Sequence, residues 1–404
     1  MAVATVPLLH ALPVWAAVFS QNFGWAPPQM SWAFTLPRPL GWALGPIAGL
    51  LVDKIGPRKM IIIGMMTLAA GWFLFSRVGS LWMFYTSIVV VSVGAGLGSW
   101  VPVTAVLKNW FRRRLCTASS IPALGLSLGG FLIVPLMAWA TVWNAESGAV
   151  MPGRLGWQNT ALLVGAAGLA MSVIAALLIR DRPGDGGQQR DGIRSDDEEP
   201  LPEYGFREAV KARAFWLLVL GAACFQASAS IADERVSMLL LDYGYALEVG
   251  ARYQLVHSVA SLAFIPVGGW FGDRMPIRHA LLLFTSFQLA GSAVFLVAHN
   301  APLFYIVAMM TGAGAGGHQI LVLAVIAIYF GTGRFASILG VAGALSASVS
   351  GILTFLSALG GSPVLAVAAA VILAVVGAAA YRCLGQPQPA PSQRELTGSA
   401  PSAD

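Results

Sequence analysis

The segment from Met30 to Lys59, MSWAFTLPRPLGWALGPIAGLLVDKIGPRK, narrows most sharply what this chain can fold into. Its first 23 residues, Met30 to Val52, carry one formal charge, on Arg38. At about 1.5 Å per residue, a helix of that length crosses a hydrocarbon core of roughly 30 Å. A charged turn, Asp53 to Lys59, then ends the apolar run. Further apolar runs lie at 4–19, 60–76, 81–107, 117–141, 157–179, 214–238, 251–272, 280–298, 302–330, 335–358 and 363–381, which predicts twelve spans in all. The composition agrees, because 10% of the residues are charged where a soluble domain has about 25%. The expected fold class is therefore all-α, a polytopic membrane protein. The class of soluble enzymes and binding domains is excluded.

The basic residues sort by side. Lys54, Arg58, Lys59, Lys108, Arg112, Arg113, Arg114, Arg180, Arg182, Arg274, Arg278, Arg334 and Arg382 fall on one side, and Arg77, Arg154 and Arg252 on the other. The positive-inside rule then puts both termini in the cytoplasm and the chain in the cell (inner) membrane as a multi-pass protein. Because these charges sit in short loops, the net charge of +6 does not point to nucleic acid. Cys116, Cys224 and Cys383 have neither disulfide-framework nor metal-type spacing, so no metal or cofactor is expected. The first run holds Pro7, His10 and Pro13 and is short for a span. It reads as a helix whose beginning is missing through a start codon placed too late, or as one that is short.

Gly49 to Lys59 has the form G-x-x-x-D-[RK]-x-G-x-[RK]-[RK], and it resembles the loop signature of the major facilitator superfamily between its second and third helices. The chemistry is sensible in its own right. Gly49 lets a neighbouring helix come close, Asp53 caps a helix end, and Lys54, Arg58 and Lys59 hold the turn on the cytoplasmic side. Two motifs also return further along the chain at nearly one offset. GLLVDKIGPRK at 49–59 reappears as GWFGDRMPIRH at 269–279, matching Asp53 to Asp273. GAGLGSWVPVTAVLKNWF at 94–111 reappears as GAGAGGHQILVLAVIAIYF at 312–330. Parallel six-helix repeats with a midplane site between them are the architecture that this resemblance implies. The two halves are then 1–179 and 214–384, joined by a cytoplasmic linker, 180–213, that ends in a short amphipathic helix from Phe206. A Pro- and Ser-rich tail at 385–404 is expected to be disordered.

A narrower resemblance rests on NFGWAPPQMSWAFTL, SLWMFY at 80–85, NWFRRRLCTASSIPALGLSLGG at 109–130, GWQNTALL at 156–163 and YFGTGRFASILG at 329–340. These segments look like the bacterial oxalate/formate antiporter and monocarboxylate transporter branch. The resemblance implies a carrier of small organic anions working by alternating access, coupled to protons or to counter-exchange. It also implies departures. The branch's eighth-helix arginine is replaced here by Ile265, and the eleventh-helix lysine of the oxalate carriers is missing from 335–358. Oxalate is thus not the expected substrate.

Arg38 is the candidate that would rebuild an anion site. It lies between Pro37 and Pro39, about 12 Å inside the span, and Thr35, Arg38, Trp42 and Gly45 share one helical face. A guanidinium there costs several kcal/mol unless it meets an anion, a carboxylate such as Asp233 or Glu234, or water. The second constellation is His318 and Gln319, preceded by Gly312, Gly314, Gly316 and Gly317, with Trp100 at the repeat-equivalent position. The glycines would let a ligand or a neighbouring backbone reach the imidazole, which binds substrate, carries a proton or serves as packing. His257 lies close to the repeat-equivalent level of Arg38 and is a further cavity candidate. Asp233, Glu234 and Arg235, which cannot all share one face, suggest an outer gate, while Asp53, Arg58 and Asp273 suggest an inner one. Gln226 and Gln288 are expected to form interhelical hydrogen bonds. The expected partners are a small-molecule substrate, protons and the lipid bilayer, and the expected state is a monomer. An uptake carrier for a larger aromatic or heterocyclic compound such as a vitamin, and a proton-driven exporter, are the alternatives. No H-E-x-x-H, G-x-S-x-G or P-loop pattern supports an enzyme.

Overall fold

In a computed structural model, the described residues are 1–26, 28–30, 35, 37–141, 143–144, 149–150, 155–181, 191, 204–242, 244–245, 247–298, 300–331, 333–359 and 362–385. The chain begins with α1 (Ala2–Thr5), a π-helical turn (Val6–His10) and α2 (Leu12–Phe23). Then follow α3 (Pro37–Ile55), α4 (Pro57–Phe75), α5 (Leu81–Gly98), α6 (Trp100–Trp110), α7 (Leu115–Thr141) and α8 (Gly156–Leu178). A two-residue hairpin pairs Trp143–Asn144 with Ala149–Val150. After the six-residue α9 (Phe206–Lys211) come α10 (Arg213–Asp242), α11 (Leu247–Arg274), α12 (Ile277–Val297), α13 (Ala301–Phe330), α14 (Phe335–Leu359) and α15 (Pro363–Arg382).

Among the described residues, ten helices are long and apolar enough to cross a membrane, and the bent pair Ala2–His10 and Val14–Phe23 brings the number to eleven. Twelve were expected. The missing one is the Met30–Val52 span. It appears as α3, which starts later and carries Pro37, Arg38, Pro39, Asp53 and Lys54, so its apolar run is diluted; residues 31–34 and 36 lie outside the described ones. The 56° bend in the first span falls where Pro7 and Pro13 interrupt the backbone ladder. Leu132, Leu136, Leu177, Leu178, Leu365 and Ile372 are all exposed, as lipid-facing side chains are.

Each half packs around its own aromatic-rich core. Trp15, Phe19, Trp72, Phe75 and Phe84 cluster in the first half, with Trp15 and Phe75 at 4.9 Å edge to face. The halves meet along two pairs of helices, α3 with α14 and α7 with α11. At the end of the molecule that carries the loop signature, one continuous buried cluster crosses between the halves through Val52, Val101 and Leu115 to Leu323, Phe335 and Ile338. Tyr204 seats the segment before α9 there, its amide on the Phe330 carbonyl at 3.3 Å and its ring edge-on to Phe330. Linker residues 182–190 and 192–203 and tail residues 386–404 lie outside the described ones.

Candidate functional site

The signature builds a clamp between the halves. Asp53, at the end of α3, accepts hydrogen bonds from the amides of Ala336 at 3.3 Å and Ser337 at 2.9 Å, and from the Ser337 hydroxyl. These amides open α14, whose first turn has no intrahelical acceptors for its N–H groups. Asp273, at the end of α11, does the same for α7, accepting from Cys116 and Thr117 at 2.9 Å each. The correspondence is numerical: Asp53 to Asp273, Cys116 to Ala336 and Thr117 to Ser337 are each 220 residues apart. One turn before each carboxylate stands a glycine against the capped helix. A Cβ at Gly49 would lie 2.3 Å from the Ala336 carbonyl oxygen, and one at Gly269 would lie 3.0 Å from Cys116 and Thr117. The spacing G-x-x-x-D thus means a close approach followed, one turn on, by a cap. Lys108, only 4% exposed, adds a cation–π contact across the same seam, 5.0 Å from the Phe335 ring centroid.

Arg58 works within the first half. Its amide donates to Asp181 at 2.8 Å and its guanidinium donates to the Ala176 carbonyl, which ties the start of α4 to the end of α8.

Beyond the clamp two chambers adjoin between the halves. One, of about 340 Å³, is lined by Pro37, Gly41 and Gly45 of α3, by Ser92 and Trp100, and by α14 around Gly340. The other, of about 430 Å³, has a polar wall from Gln226 and Ser230 of α10 and His318 and Gln319 of α13. Trp100, Leu339 and Gly343 line both. The structure therefore brings Trp100, His318 and Gln319 together, as the internal repeat suggested. Among the described side chains of α3, Pro37, Gly41 and Gly45 line the chamber, Gly45 being one of the expected stripe. The side chains of Arg38 and Trp42 lie outside the described ones.

His318 is held firmly. Its ring stacks on Phe225 with centroids 3.6 Å apart, and Nε2 is 2.8 Å from the Tyr381 hydroxyl. Tyr381 fits because Gly221 leaves room, a Cβ there meeting the ring at 2.5 Å. The glycines before His318 serve the neighbouring helices: Gly312 receives the His257 backbone, Gly316 the Ser261 backbone and Gly317 the Phe284 ring. Phe225, Tyr381 and Lys108 were not anticipated as site residues. The internal repeat gave no signal for Tyr381, which lies 63 residues from His318.

Gln226 is exposed to the chamber, contrary to its expected place in an interhelical bond; its face of α10 opens between the halves. Gln288 fits the expectation: it is fully buried and its Nε2 donates to Ser228 on α10 at 3.5 Å. Of the acidic cluster, Asp233 sits 3.1 Å from His257 Nδ1, Glu234 is exposed and Arg235 is half-buried. His257 itself does not line either chamber.

Comparison with known proteins agrees with this architecture. Monocarboxylate transporter 13 of Rattus norvegicus is 24% identical over 355 residues, covering 86% of this chain and 78% of that protein. The oxalate:formate antiporter of Oxalobacter formigenes is 25% identical over 210 residues, 52% of this chain and 45% of that one. The crystal structure of the Escherichia coli fucose:proton symporter FucP superposes with a TM-score of 0.67 at 17% identity, over 95% of this chain and 98% of that one. A match to the Major Facilitator Superfamily spans residues 4–354, so the chain belongs to that family of membrane transporters.

Proposed function

We propose that this secondary transporter carries a small organic anion of the monocarboxylate type across the cell membrane by alternating access, in proton-coupled uptake or exchange, with both termini in the cytoplasm. The observation that carries the reading is the polar wall of Gln226, Ser230, His318 and Gln319 facing Trp100 in a chamber between the halves. A few convergent polar groups in an otherwise apolar cavity are what a small polar substrate requires. Monocarboxylate transporter 13 and the oxalate:formate antiporter, by their names, point the same way. Arg38 would hold the carboxylate, since a guanidinium inside a span needs an anion or water, and its neighbours Pro37 and Gly41 line the adjoining chamber. Trp42, Trp100, His318 and Gln319 would complete the site. The two aspartate clamps would break as the cytoplasmic side opens and re-form as it closes.

The contiguity of the chambers favours a second reading, a larger aromatic or heterocyclic substrate occupying both. Uptake of labelled lactate, benzoate, succinate and riboflavin into proteoliposomes, with and without an inward proton gradient, separates the two. Carboxylate uptake that the gradient drives and Arg38→Ala abolishes supports the anion carrier. Riboflavin entry that is equal in both proteins, with the carboxylates left outside, overturns it.

A further inference from the structure

Asp233 on α10 and His257 on α11 face each other beyond the substrate chambers, neither among their lining residues. Each alone is unfavourable in a span, because hydrocarbon offers no partner to an ionised carboxylate or an imidazole. Together they are 3.1 Å apart, Asp233 Oδ1 to His257 Nδ1. The imidazole is enclosed, with 8% of the residue exposed, and among the described residues neither of its ring nitrogens has an aligned hydrogen-bond partner. The carboxylate is more open, with a third of its side chain exposed. Gln226, Ser230 and Asp233 follow one another at helical spacing on α10, and the first two line the chamber. Asp233 thus stands one turn beyond the substrate wall on the same face, on the side away from the aspartate clamps.

On α11 the hydroxyl of Tyr253 lies within electrostatic reach of Asp233 and beside Thr311 of α13. Glu248 and Arg252 pair with each other at 3.7 Å nearer the helix start. On α10 the neighbours are exposed Glu234 and half-buried Arg235. From α13 come Thr311 and Gly312, whose missing side chain lets that helix touch the His257 carbonyl. Neither α7 nor α12 has a charged residue at this level.

We propose that Asp233 and His257 form the proton-binding site of this carrier, so that uptake of substrate is coupled to one proton. A carboxylate only accepts, so it selects the tautomer with the proton on Nδ1 and leaves the Nε2 lone pair free. A proton from the outside water bonds to Nε2, and the pair changes from net charge −1 to 0. After the carrier reorients, the same N–H bond breaks and the proton passes to water on the cytoplasmic side. The inference rests on the carrier reading for its transport consequence but not for the binding of the proton itself.

The test has two arms. In the first, the purified full-length protein is titrated between pH 5 and 8 without substrate. Wild type is expected to take up about one proton more per chain than either Asp233→Asn or His257→Gln; equal counts overturn the proposal whether or not any carboxylate is carried. In the second, proteoliposomes are assayed with labelled lactate and benzoate. Both variants are expected to lose at least tenfold of the gradient-driven accumulation while keeping carboxylate exchange at equal pH within about threefold, and Asp233→Glu is expected to restore coupling. Accumulation retained in the variants, or exchange lost in step with it, overturns the proposal.

Discussion

Asp53 Oδ2 lies 2.9 Å from the amide nitrogen of Ser337, a residue 284 positions further along the chain and in the opposite half. With its counterpart, Asp273 on Thr117, this bond joins the two halves at two helix N-termini. A carboxylate at such a terminus meets both unpaired N–H groups and the positive end of the helix dipole, and is worth roughly 1.5–3 kcal/mol as a charged hydrogen bond. Each clamp joins the halves through hydrogen bonds alone, and in the proposed function these bonds would break and re-form. That is what a rocking motion between two halves requires.

The two glycines that bring the clamped helices together are unequal. Gly49→Ala would put a Cβ 2.3 Å from the Ala336 carbonyl oxygen, a backbone atom that cannot turn aside, whereas Gly269→Ala meets its nearest atoms at 3.0 Å. Overpacking of this kind costs about 1–3 kcal/mol. Gly49→Ala is expected to reduce the transport rate by about tenfold or more, and Gly269→Ala by distinctly less. Side-by-side uptake rates at matched expression check the order.

Tyr381→Phe keeps the ring that sits under His318 and removes only the hydroxyl at 2.8 Å from Nε2. The loss leaves a buried nitrogen unpaired, at about 1–3 kcal/mol. The expected result is a lower Tm of the purified protein and a raised KM, with kcat less affected. Gly221→Ala, which displaces the same ring from 2.5 Å away, is expected to reproduce both effects.

Trp100 lines both chambers. Trp100→Ala is expected to merge them and to shift preference from small carboxylates towards bulkier aromatic ones. Competition of unlabelled benzoate and lactate against labelled substrate measures the ratio, and an unchanged ratio would remove Trp100 from the site.

Much of this was legible before any coordinates. The apolar lengths revealed the membrane class, and the G-x-x-x-D spacing revealed a close approach followed by a cap. The identity of the capped helix was not legible, because Asp53 and Ser337 are joined only by the fold. The shared 220-residue spacing of donors and acceptors becomes visible once one clamp is known. Gln226 and Gln288 illustrate the other limit: two amides in apolar spans look alike in sequence, and only the packing around them shows that one faces the chamber and the other Ser228. Asp233 and His257 were read apart, one as a gate and one as a cavity residue, because they lie on different helices and no spacing rule links them. Arg38 and Trp42 remain expectations from sequence for their side chains.

The central claim, that the aspartate clamps hold one end of a two-state carrier shut, can be read from a thiol that the protein already has. Cys116 is 1% exposed and its amide is one of the two that Asp273 caps. In a Cys224→Ala, Cys383→Ala background, the alkylation rate of Cys116 by N-ethylmaleimide in proteoliposomes reports opening of that end. Removing one clamp by Asp53→Ala, in the other pair of helices, is expected to raise the rate by about tenfold or more, in line with the loss of a charged hydrogen bond. A rate unchanged by Asp53→Ala would contradict the account, because the two clamps would then not share one closed state.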